Sequence, residues 1–421
     1  MSDLTISSNG TGQKEIAKKR QATTAVHGNV DRRTWNAHHA LTTPMVQTAT
    51  YTFKDTDDLK AFMEAKMWGG LPDRGEYGRY GNPTVHQVEK RIAALEGAGD
   101  AILFPTGMTA VTNVILSILP TGTHVVMTDD CYRKTRQFCN TFLTRLGIET
   151  TQVPMGDYKA LEAAIQPSTR LIISESPTNP YLRVADLHKI VAIAKKHKRI
   201  KTIIDSTFAT PINQCPLEFG IDLVIHSGTK YLSGHNDVMA GVVVGDAGLL
   251  HALRQSQGML GGIADPHAAW LVERGLKTLA LRVAQQNATT QAVAEYLEAH
   301  PAVERVWYPG LPSHPDHDVA AKQMSGFGGV VSFEIAPIAG EDVVDTTSRF
   351  IDAMQIPYIA PSLGGVESLI EQPAYMSFYE LSSEERLAIG IKDNLVRFAI
   401  GIEDTADILA DLEQALKTIG G

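Results

Sequence analysis

The run Ile221-Asp222-Leu223-Val224-Ile225-His226-Ser227-Gly228-Thr229-Lys230-Tyr231-Leu232-Ser233-Gly234-His235-Asn236-Asp237 begins apolar and ends in a turn rich in hydroxyls and glycine. Its first half reads as a buried strand from Asp222 to Ile225, and Lys230 closes the turn that follows. An isolated acid, Asp205, lies 25 residues earlier, at the end of the apolar run Thr202-Ile203-Ile204. A carboxylate at the end of a buried strand lacks solvation unless it is paired, so Asp205 needs a cap or a partner cation.

Around this run, helix and strand signals alternate. Helices are predicted over Val85 to Glu96 (ending at Gly97), Met108 to Leu119, Thr135 to Leu146 and Asp186 to Lys196. Strands are predicted over Ala101 to Phe104, His124 to Thr128, Leu171 to Ser174, Lys201 to Ile204, Asp222 to Ile225 and Gly241 to Val244. Short, near-continuous apolar strands between helices imply a mostly parallel sheet covered on both faces. Sites in such folds gather beyond the strand carboxyl ends, where Thr106, Glu175, Asp205 and Lys230 fall. After about Arg282 a long helix, strands near Val303 to Tyr308 and Gly329 to Glu334, and closing helices read as a smaller α/β domain. The predicted division is a disordered polar tail over 1–23, an irregular arm over 24–79, a large domain over 80–285 and a small domain over 286–421.

Composition sets the broad class. The 421 residues are 43% hydrophobic and 20% charged, which suits an ordinary globular chain with a large core. A net charge of -9 argues against nucleic acid, which needs clustered, uncompensated cations. The basic runs Lys18-Lys19-Arg20 and Lys195-Lys196-His197-Lys198-Arg199 read as a tail flank and a helix end. Three cysteines, Cys131, Cys139 and Cys215, have neither zinc spacing nor an even count, and fit reduced packing thiols. Met1 to Gln13 lacks the apolar core of a secretory signal, and no apolar run approaches the about 18 residues of a membrane span. The expected location is the cytoplasm.

Together these motifs suit one cofactor, pyridoxal 5′-phosphate. Lys230 supplies the amine that holds it as a Schiff base, and Asp205 the carboxylate that keeps its ring nitrogen protonated. Phe104-Pro105-Thr106-Gly107-Met108 spans a strand-to-helix turn, so the Gly107 and Met108 amides can bind an anion, with Ser227 and Thr229 adding hydroxyls. Tyr132 can stack on a flat ring, or simply pack. Asn179, between two prolines, can bond the ring oxygen or shape its turn. Rival signals fail on context. Gly326-Phe327-Gly328-Gly329 leads into a strand rather than a helix, so it is no dinucleotide loop. Pro315 breaks the pair His314 and His317, which reads as a surface loop rather than a metal site, and no metal is expected.

The segments Glu76-Tyr77-Gly78-Arg79-Tyr80-Gly81-Asn82-Pro83-Thr84, Glu175-Ser176-Pro177-Thr178-Asn179-Pro180, Asp205-Ser206-Thr207-Phe208-Ala209-Thr210-Pro211, the Lys230 run, Ser362-Leu363-Gly364-Gly365-Val366-Glu367-Ser368 and Asn394-Leu395-Val396-Arg397 resemble the Cys/Met-metabolism family of pyridoxal phosphate enzymes. The likeness runs from about Thr24 to the C-terminus and implies the aspartate aminotransferase-like fold, fold type I. It makes Lys230, Tyr132 and Asp205 the catalytic set. It also implies that Tyr77 and Arg79 reach the cofactor phosphate of a neighbouring subunit, in a homotetramer built from dimers with shared sites. Glu76, Arg136, Ser362 and Arg397 would bind substrate, Arg397 by a two-pronged pair to the α-carboxylate. Asp130-Cys131-Tyr132-Arg133-Lys134-Thr135-Arg136 and Ile359-Ala360-Pro361-Ser362 resemble a plant-type subgroup. That implies γ-replacement on an O-activated homoserine, with cysteine as incoming thiol and cystathionine as product. β- or γ-lyase chemistry, methionine γ-lyase-type elimination and a non-cysteine nucleophile are the alternatives. Many bacterial members have an acid where this chain has Pro361. The basic cluster Arg133, Lys134 and Arg136 suggests a phosphate ester as the leaving group, or else only Arg136 enters the site.

Overall fold

Asn82 starts the regular part of the chain. Its side chain accepts from the Thr84 and Val85 amides, Pro83 takes the first helical position, and Gly97 at φ 65° ends helix Pro83–Glu96. The computed structural model describes residues 21–28, 37–68 and 75–420. The expected tail lies outside them as far as residue 20, and residues 21–23 belong to a helix, Gln21–His27. The arm is less irregular than expected. Helix Thr56–Met67 forms there because Asp55 caps it, Asp57 and Asp58 occupy its first turn and Lys66 its last.

Strands β1 (Asp100–Phe104), β2 (His124–Thr128), β3 (Glu149–Val153), β4 (Thr169–Glu175), β5 (Lys201–Asp205), β6 (Leu223–Ser227) and β7 (Gly241–Gly245) form a sheet ordered β1-β7-β6-β5-β4-β2-β3. Every neighbouring pair is parallel except those of β7, which runs against both β1 and β6. Alternate residues bury on opposite faces: Leu103, Val224 and Val242 in one cluster, Ile102, Ile225 and Val243 in another. Both faces are covered, as the apolar strands require. Cys131 and Cys139 are buried in the second cluster, and Cys215 is buried with its thiol 3.4 Å from the Pro211 carbonyl.

The second sheet is ordered β10-β11-β12-β9-β8 and comprises β8 (Val303–Trp307), β9 (Val330–Ile335), β10 (Tyr358–Ile359), β11 (Leu369–Glu371) and β12 (Leu395–Ala399). Only β10 and β11 are parallel within it. The fold is therefore α/β, with a mostly parallel large sheet and a smaller second one. Helix Leu279–Glu298 runs unbroken across the expected division at residue 285, and one apolar cluster joins Val242, Val283 and Phe333. His314 is no surface residue: it is buried, its Nε2 3.2 Å from the Tyr181 carbonyl, while His317 begins a helix. No helix among the described residues is long and apolar enough to cross a membrane.

Candidate active site

The reversed strand β7 builds an anion seat. Its first residue, Gly241, pairs with Phe104 on one side and Ser227 on the other, so it stands between the loops that leave β1 and β6. A Cβ on Gly241 would lie 2.1 Å from the Thr106 carbonyl oxygen. Glycine alone lets the loop after β1 fold over β7, and that brings Gly107 against Ser227. A Cβ on Gly107 would sit 3.3 Å from that of Ser227. Helix Gly107–Ile118 starts here, capped by Thr106, whose hydroxyl accepts from the Thr109 amide at 3.0 Å. The Gly107 and Met108 amides are its first donors and have no acceptor within the helix. With the helix dipole and the Ser227 hydroxyl they make a seat for a phosphate. Thr229 is turned elsewhere. Its hydroxyl donates to the Ala240 carbonyl at 3.2 Å and accepts from the Ala240 amide at 2.9 Å, bracing the Lys230 turn.

Beside the seat, Tyr132, Cys131, Glu175, Asp205 and Ile225 line a cavity. Asp205 Oδ1 accepts both bonds from Thr207, the amide at 3.1 Å and the hydroxyl at 2.5 Å. Among the described residues no hydrogen-bond donor reaches Oδ2. Burial pushes this carboxyl up, while the Thr207 bonds and the charge of His226 oppose the rise. A cation at Oδ2 would keep it ionised. Glu175, the register partner of Asp205, accepts the Tyr132 amide on Oε2 at 2.7 Å. Burial, and then the charges of Asp205 and Asp130, raise the Glu175 carboxyl far above the usual range. The basic cluster is divided. Arg133 is tied to the Ser377 carbonyl and Glu380, and Lys134 to Gln137 at 2.9 Å on the surface. Arg136 turns inward, its charge felt by Glu175 and its buried Nε unpartnered.

Lys230 Nζ donates to Ser362 Oγ at 2.6 Å. Burial, and next the Arg397 cation, bring its amine down to about 8, with Glu371 opposing. Ser362 is held at φ 98°, a backbone region that side chains seldom occupy, and its carbonyl accepts from Arg397 Nη2 at 2.9 Å. Arg397 Nη1 reaches Asn179 Oδ1 at 3.1 Å and Glu371 Oε1 at 3.1 Å. The segment after Asn179 is also tied to the part of the chain that carries the second sheet. Pro180 O accepts from Ser332 Oγ at 2.7 Å, and Tyr181 Oη donates to Gly390 O at 2.6 Å.

Three expected residues stay apart within this chain. Glu76 pairs with Lys66 in the arm, and Arg79 Nη1 donates to Gly258 O at 2.6 Å while lying over the Tyr77 and Tyr80 rings. None of the three bonds Lys230, Ser227 or Gly107. Sequence reasoning placed Glu175 at the strand ends without naming its role, and missed Gly241 and Glu371. For Glu371 the only signal was a charged residue directly after the apolar pair Leu369-Ile370.

These residues fit pyridoxal phosphate: an amine of lowered basicity, a carboxylate with one open oxygen, an aromatic ring beside it and an anion seat at a helix start. Fold and site define a lysine-based enzyme of that cofactor. The chain belongs to the Cys/Met metabolism PLP-dependent enzyme family, whose sequence profile matches residues 22–417. It is 51% identical over 382 residues to cystathionine gamma-synthase 1, chloroplastic, of Arabidopsis thaliana, covering 90% of this chain and 66% of that protein. The chain thus spans just under two thirds of that relative's length. It is 41% identical to cystathionine beta-lyase of Lactococcus lactis, covering 94% of this chain and 98% of the lyase. The structure of metB from Corynebacterium glutamicum superposes with a TM-score of 0.85 at 36% identity, covering 95% and 98% of the two chains.

Proposed function

We propose that the chain catalyses γ-replacement on an O-activated homoserine ester, with cysteine entering and cystathionine leaving. The Lys230 amine carries this reading: buried, hydrogen-bonded to Ser362 and lowered to about 8, it can take and return protons near neutral pH. When bound, pyridoxal phosphate supplies an electron sink that acidifies the α- and β-hydrogens of an amino acid. Gly107, Met108 and Ser227 would hold its phosphate, Tyr132 and Asn179 its ring, and the open Oδ2 of Asp205 its nitrogen. Arg397 holds the substrate α-carboxylate. Lys230 would take the proton from Cα, hand it on, and then take the second proton from Cβ as the γ-substituent departs. The incoming thiol bonds Cγ, its own proton leaving with the displaced ester group, and Lys230 returns the two protons to Cβ and Cα. The γ-synthase relative supports replacement, and the lyase relative keeps elimination as the second reading.

Arg136 is the cation left for the leaving group, because Arg133 and Lys134 are engaged elsewhere. Glu76, Tyr77 and Arg79 would complete the site of a second subunit in a tetramer built from dimers. Half-exposed Tyr77 and Tyr80, with exposed Trp68 and Met259, support such an interface. Buried Cys131 and Cys139, neither in a disulfide, support a cytoplasmic enzyme. The test is product analysis with O-acetyl-, O-succinyl- and O-phosphohomoserine, each with and without cysteine. Cystathionine should form from at least one ester; ammonia and a 2-oxo acid as the only products with cysteine present would assign elimination instead.

A further inference from the structure

Arg397 is oriented by one acid. It lies in β12 opposite Glu371 in β11, and both side chains are almost wholly buried. Glu371 Oε1 meets Nη1 at 3.1 Å, and Asn179 Oδ1 takes the same nitrogen at 3.1 Å. Ser362 O occupies Nη2 at 2.9 Å. Asn179 takes one Nη1 hydrogen and Ser362 one Nη2 hydrogen, while Glu371 sits against Nη1 as an ion pair, so Nη2 keeps a hydrogen free. Arg397 Nε is buried without a partner, and so is Glu371 Oε2. The guanidinium therefore offers one unfilled edge, made by Nε and the remaining Nη2 hydrogen. That edge has the fork geometry that binds a carboxylate by two parallel bonds.

We infer that Glu371 is a positioning residue: by its ion pair at the Nη1 corner of Arg397, it turns the Nε and Nη2 edge toward the substrate α-carboxylate. This rests on the reading of Arg397 as the carboxylate anchor. The partners divide the labour. Ser362 O and Asn179 Oδ1 are neutral acceptors, and Glu371 alone adds an anion that holds the cation in a buried site. Without it, a buried guanidinium relaxes toward whatever acceptor or water reaches it, and the fork loses its aim. The effect falls on binding, because the α-carboxylate is held alike before and during the chemical step.

The experiment uses the holoenzyme and L-norvaline, an amino acid without a γ-leaving group, whose dissociation constant is read from the change in cofactor absorbance. Glu371→Leu should weaken norvaline about tenfold or more and raise KM to match, with kcat within about twofold. Glu371→Gln keeps an acceptor oxygen and should fall between Glu371→Leu and the parent. A thermal melt identifies a variant that has not folded; should Glu371→Leu fail it, Glu371→Gln alone decides, and norvaline affinity equal to the parent's overturns the inference. Normal norvaline binding by folded Glu371→Leu also overturns it, as does a loss confined to kcat. Arg397→Gln is the control. If Arg397→Gln binds norvaline normally, the anchor reading itself is wrong; if it does not and Glu371→Leu does, only the Glu371 role is wrong.

Discussion

The Lys230 amine should behave as a base of pKa about 8 before any cofactor is present, because burial and the Arg397 charge both disfavour its cation. At pH 7 that leaves about 9% of it neutral, against about 0.03% for an amine at the ordinary 10.5, a gain of about 300-fold in reactive base. Capture of the cofactor aldehyde needs the neutral amine, so its rate reports that fraction. With cofactor-free protein mixed rapidly with pyridoxal phosphate, the rate constant for visible absorbance growth should rise about tenfold per pH unit up to about 7.5 and flatten above about 8. Arg397→Met removes a cation and leaves Glu371, which favours the charged amine. Its plateau should move up by about one unit, making capture at pH 7 about tenfold slower. A parent rate that keeps climbing beyond about pH 10, or an Arg397→Met curve that does not move, would refute the electrostatic account of Lys230.

The same shift bears on stability. The folded value near 8 lies below the unfolded 10.5, so unfolding takes up a proton between them, and the cofactor-free protein should gain up to about 3 kcal/mol as pH rises across that window. Lys230→Met should lack this slope in urea melts at pH 7 and about pH 10. Gly241→Ala, whose Cβ meets the Thr106 carbonyl, should weaken pyridoxal phosphate at least about tenfold in equilibrium dialysis, since the anion seat must open. Inactive Lys230→Ala and Arg79→Ala chains, unfolded and refolded together, should recover about a quarter of parental activity if sites are shared between subunits. No recovery from a mixed oligomer shown to form would return Arg79 to its own chain's site.

Much of the first sheet was legible because its strands are short apolar blocks ending in chemistry: Ile203-Ile204-Asp205 and Val224-Ile225 read as buried strands in any context. Strand β3 escaped because it is the sheet's edge, where Glu149 and Gln152 face solvent and break the apolar pattern. Strands β11 and β12 escaped for the opposite reason. Glu371 and Arg397 are buried charges that neutralise each other across the ladder, and a sequence shows each only as an interruption. Lys230, Asp205 and Gly107 could be named from strand ends and helix starts. What Thr229 and Arg133 do could not, because the Ala240 backbone and Glu380 that occupy them are tertiary neighbours.

The segment Asn179-Pro180-Tyr181 follows β4 of the first sheet, yet its three residues are bonded to the part of the chain that carries the second sheet, through Arg397, Ser332 and Gly390. Any shift of the second sheet against the first must therefore pull on Asn179 or break those bonds in turn. The Asn179 amide becomes the end of a lever whose other arm is the whole second sheet. With the proposed roles of Asn179 at the ring and Arg397 at the substrate, substrate seating and ring tilt would be one mechanical coordinate.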